Sequence, residues 1–87
     1  MGRTRDEGLR AELLRAVERG LAGDWQGAHV IAQDHEDDDV ANWLRAVAHR
    51  MEGDLSNARY WYGRCGRAFR ESVSVEDELR EIAAVLS

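Results

Sequence analysis

Apolar residues recur three and four positions apart along most of the 87-residue chain. That is the period of amphipathic helices rather than of strands. Leu9, Leu13, Leu14, Val17 and Leu21 mark one such face; Val40, Trp43, Leu44, Val47, Ala48 and Met51 mark another. A shorter pattern follows each. Trp25, Ala28, Ala32 and His35 align after the first, and Leu55, Ala58, Tyr62 and Cys65 after the second. Val75, Leu79, Ile82 and Leu86 make a fifth face, with Ser74 as a candidate N-cap and Glu76, Asp77 and Glu78 in the first turn. The pattern predicts an all-α fold.

The first four segments form two matching pairs. Shifted by thirty residues, Leu14, Arg15, Ala16 and Val17 recur as Leu44, Arg45, Ala46 and Val47, Gly23-Asp24 as Gly53-Asp54, and Ala28 as Ala58. Repetition at this period is the mark of stacked supersecondary units. Gly-Asp is the expected joint in each. Glycine adopts the left-handed conformation that ends one helix, and aspartate caps the free amides of the next. So short a joint makes the helices antiparallel. The reading is a single domain over 1–87: repeat one at 9–36, repeat two at 39–67, a capping helix at 75–86, and a loose N-terminus at 1–6.

Charge and composition narrow the function classes. The net charge of −5 disfavours nucleic acid as a partner, because phosphate binding needs a cationic face. All twelve basic residues are arginine, which removes Schiff-base lysines and GK[ST] phosphate loops. Cys65 is the single cysteine, so no intrachain disulfide can form. With no membrane-length apolar run and no signal-peptide pattern, a cytoplasmic protein without a membrane partner is expected.

The stretch "GDWQGA" resembles the turn of tetratricopeptide (TPR) repeats, in which an aromatic follows Gly-Asp and opens the second helix. The resemblance implies a right-handed, TPR-like stack of two helical hairpins, and such folds usually bind peptides or other proteins. "GDWQGAHVIAQ", "WLRAVAHRMEGD", "NARYWY" and Gly66-Arg67 also resemble the motifs of a group of small, uncharacterised, mainly bacterial proteins. The group implies no known activity. Arg45, Val47 and Cys65 depart from its pattern, which has His, Tyr and Ala there.

The aromatic run Tyr60-Trp61-Tyr62 cannot share one helix face, because successive residues point about 100° apart. Tyr62 falls in the core register, and Trp61 flanks it as packing between helices. Tyr60 points outward with Asn57, Arg64 and Arg67 at helical spacings. Two readings attach to this stripe. Either its arginines pair with acids of the same chain, such as Glu76, Asp77 or Glu81, or the stripe binds a partner. The partner would be a protein or acidic peptide, or a second copy in a homodimer.

The expected function is therefore a non-catalytic interaction or self-assembly module with no cofactor. Its alternative is a small metal- or metabolite-binding enzyme using His29, His49 and nearby acids, which requires the two histidines to converge in a cleft. His49 with Glu52 at i+3 is otherwise an ordinary surface pair. In "HEDDD", residues 35–39, the acids read as a capping loop with Asp38 or Asp39 as N-cap rather than as a metal loop. Cys65 reads as a buried, inert thiol.

Overall fold

The computed structural model describes residues 7–87, and the expected loose N-terminus at 1–6 lies outside them. Those residues form five helices: α1 Glu7–Leu21, α2 Trp25–Gln33, α3 Asp39–Glu52, α4 Leu55–Cys65 and α5 Val75–Leu86. The fold is all-α, two antiparallel helical hairpins with a C-terminal helix laid across them. Helix α3 is central and touches every other helix, while α5 packs on α1 and α3. No helix among the described residues is long and apolar enough to cross a membrane.

Both Gly-Asp joints adopt the expected geometry, with φ of +86° at Gly23 and +90° at Gly53. Asp24 and Asp54 have nearly the same backbone angles, and each caps its helix by accepting from the amide three residues on. Asp38 caps α3 through the Val40 and Ala41 amides, and Ser74 caps α5 through the Asp77 amide. Asp24→Ala is expected to cost about 1 kcal/mol, the usual worth of a lost N-cap. A lower urea midpoint with an unchanged m-value would register it.

The core gathers the predicted faces. Leu13, Val17, Trp43, Leu44, Val47, Tyr62, Leu79, Ile82 and Leu86 are all buried. Ala28 and Ala58, the matched alanines of the two pairs, are buried as well, small enough for neighbouring helices to approach closely. Four expectations shift at helix ends. Leu55, which opens α4, is exposed rather than part of the core face. Leu21, the last residue of α1, is exposed, and Gly20 takes the buried place, where an added Cβ would lie 3.0 Å from Leu79 Cδ1. Helix α2 stops at Gln33, so His35 leaves the core register and its Nε2 lies 2.9 Å from Glu12 Oε1. Helix α4 stops at Cys65, because Gly66 turns left-handed at φ +75°.

Candidate functional site

The early end of α4 divides the predicted stripe. Asn57, Tyr60 and Arg64 remain on the exposed side of the helix. Asn57 is engaged locally, donating from Nδ2 to Asp54 Oδ2 at 2.7 Å. Tyr60 is 55% exposed, and its hydroxyl accepts from Arg64 Nη1 at 3.2 Å. Arg67 lies past the helix, where its guanidinium stacks over the Trp43 ring at 3.6 Å. It borders a hollow of about 240 Å³ with Trp43, Gly66, Ala68, Arg70 and Glu78. The positive φ at Gly66 is the physical reason that Arg67 does not continue the stripe.

Trp61 takes the place beside Tyr60 and Arg64. It is buried, its ring edge-on to Tyr60 at 5.0 Å. Arg45 of α3 sits 4.0 Å from the Trp61 ring centroid and Arg64 sits 5.2 Å from it. Arg45 Nη1 also reaches Glu36 Oε2 at 3.5 Å. Tyr60, Trp61, Arg64 and Arg45 thus form one aromatic–arginine cluster spanning α3 and α4. Among the described residues neither Arg64 nor Arg67 pairs with an acid. Glu81 is taken by Arg70 at 2.8 Å and Asp77 by Arg80 at 3.7 Å.

The structure also brings His29 and His49 together. Their rings, from α2 and α3, lie 5.2 Å apart, edge to face. His49 Nδ1 is 3.1 Å from Glu52 Oε1 and 4.0 Å from Asp54 Oδ2. Burial, then the neighbouring His49 and Arg45, push the His29 pKa below its ordinary value, with Glu52 opposing. Hydrogen bonds from Asn57 hold the Asp54 carboxyl below the usual carboxylate range. The acidic loop behaves as a cap, with its one histidine turned to Glu12. Cys65 is half-buried, its thiol pushed up by burial, as suits an inert cysteine.

Sequence reasoning missed a buried carboxylate. Glu78 is 1% exposed and joins three helices. It accepts from Trp43 Nε1 and from Arg50 Nη1, each at 2.8 Å, and the Tyr62 hydroxyl lies 2.8 Å from both its oxygens. Arg50 also donates to the Val73 carbonyl, pinning the loop before α5. Burial, then the hydrogen bond to Glu78, raises the Tyr62 phenol above its ordinary pKa, so it is a permanent donor here. None of these four side chains has a buried polar atom left without a partner, which is the pattern of a network that holds the fold.

Compared with known proteins, the chain is matched by no family model, no curated protein and no solved structure.

Proposed function

We propose that the chain is a non-catalytic protein-interaction or self-assembly module acting through the outer face of α4. The observation that carries this reading is the exposed Tyr60, held in place by Trp61 on one side and Arg64 on the other. Tyrosine and arginine are the side chains enriched at interface hot spots. A ring fixed before binding loses little conformational freedom on docking. Arg64 is exposed and makes no ion pair among the described residues; Glu36 acts on it only at longer range, and one guanidinium nitrogen donates to Tyr60, which leaves the rest of its planar fork for a partner's carboxylate. Asn57 flanks the cluster and adds polar contact at its edge. Arg67 belongs to a separate surface beside Trp43 and serves the same partner only if the contact is broad.

The partner is a protein or peptide with an acidic segment, or a second copy of this acidic chain. The likeness to TPR-like repeats favours the same class of function by fold-level analogy. The expected setting is a reducing cytoplasm, which a lone cysteine fits.

Size exclusion with light scattering, at low and high salt, tests the reading. The wild-type chain is expected to dimerise at low salt and to dissociate as salt screens the charged contacts. Tyr60→Ala with Arg64→Glu is expected to weaken association on the order of tenfold or more, with helicity and melting nearly unchanged. A chain that is monomeric at both salts and does not bind an acidic peptide would overturn the reading. Loss of fold in the double variant would make the cluster structural.

A further inference from the structure

We propose that His29, His49, Glu52 and Asp54 form a site for one divalent transition-metal ion, with zinc the best-fitting probe. The four side chains come from α2, the end of α3 and the cap of α4. Independent features of the fold bring them together.

The distances carry the argument. Ligands 2.0–2.2 Å from a tetrahedral ion lie about 3.3–3.6 Å from one another. His49 Nδ1 and Glu52 Oε1 are already 3.1 Å apart, and His49 Nδ1 and Asp54 Oδ2 are 4.0 Å apart. One ligand atom from each of His49, Glu52 and Asp54 lies within 4.8 Å of the others, a span that small side-chain rotations close. His29 lies just outside that span; its ring adjoins the His49 ring at 5.2 Å, so a rotation of its side chain is needed to bring a nitrogen to the same ion as the fourth ligand.

The scaffold beneath the site is rigid. His29 follows the buried Ala28, and His49 follows the buried Val47 and Ala48. Gly53 and the Asp54 cap fix the turn that carries the carboxylates. The ligand types select the ion class. Two imidazoles with two carboxylates suit zinc and its first-row neighbours, whereas magnesium and calcium prefer oxygen ligands alone. Two carboxylates with two neutral imidazoles balance a divalent charge. A four-ligand site is closed, so the ion would be structural. It would tie α2 to the start of α4, two helices that otherwise meet only through α3.

Tag-free protein, stripped with a chelator, is titrated with zinc against a chromophoric competitor at neutral pH. One zinc per chain is expected, together with a zinc-dependent rise in melting temperature. His29→Gln and Asp54→Asn are each expected to weaken binding at least about tenfold, since even partners outside the ligand shell cost about 10–100-fold. Asparagine also serves as an N-cap, so Asp54→Asn tests the ligand without removing the cap. His35→Gln, at the separate pair with Glu12, is expected to leave binding unchanged. The absence of saturable zinc uptake overturns the proposal. So does one-to-one uptake that survives either His29→Gln or Asp54→Asn, or uptake lost in His35→Gln.

Discussion

Glu78→Ala is expected to destabilise the protein by about 3–5 kcal/mol, the cost of removing one partner of a buried ion pair. Arg50 would keep its charge at a site where its guanidinium side chain is 12% exposed, facing a void. The Trp43 indole and the Tyr62 hydroxyl would each lose their acceptor. A domain of this size sits near the low end of the usual 5–15 kcal/mol of total stability. The variant is therefore expected to be largely unfolded at 37 °C, which a thermal melt followed by circular dichroism checks. Glu78→Gln keeps the shape and one acceptor oxygen but turns an amide donor toward Arg50 or Tyr62. It is expected to cost less, on the order of 2 kcal/mol, as for a hydrogen bond to a charged group. A Glu78→Ala variant that melts like wild type would mean that the carboxylate is not the tie between α3, α4 and α5.

The contrast between what the sequence revealed and what it concealed follows from the range of each interaction. The joints at Gly23-Asp24 and Gly53-Asp54, and the caps at Asp38 and Ser74, are made within three residues, so their chemistry is written locally. The apolar faces were legible for the same reason: one period sorts each helix into a buried and an exposed side.

Glu78 shares its first turn with Glu76 and Asp77, and helix-dipole reasoning treats the three acids alike. A signal was present. Glu78 lies three residues after Val75 and four before Ile82, inside the apolar stripe of α5. What decides its burial is the arrival of Trp43, Arg50 and Tyr62 from other helices, which no local pattern records.

The departure of Arg67 from the α4 face is hidden in the sequence for a simpler reason. Gly66 ends α4 as Gly53 ends α3, but no aspartate follows it to announce a joint. The meeting of His29 and His49 depends on how far α2 and α3 slide along each other. Helical periodicity says which side a residue faces and nothing about that offset.

Removal of α5, by ending the chain at Ser72, is expected to abolish cooperative folding altogether. The helix buries Leu79, Ile82 and Leu86 to 1% exposure or less. Burial of such side chains is worth about 1.5–3 kcal/mol each, so their loss removes on the order of 5–9 kcal/mol as an upper estimate. The Glu78 network goes with them, and so does the contact of Arg10 with the Leu86 carbonyl at 3.2 Å. The faces of α1 and α3 would then lose their cover at Gly20, where Leu79 packs, and at Trp43, which Glu78 holds.

A truncated chain is expected to keep some helical signal, to bind a hydrophobic dye and to melt without a defined transition. In a stacked array a terminal cap supports solubility while the inner units hold themselves together. Here α5 lies against both α1 and α3, and Gly20 gives up its side chain to admit Leu79. That closeness makes α5 part of the core rather than a lid on it. A truncated chain with a sharp, reversible melt would reverse this conclusion, because the two hairpins would then fold as a unit and α5 would only add to their stability.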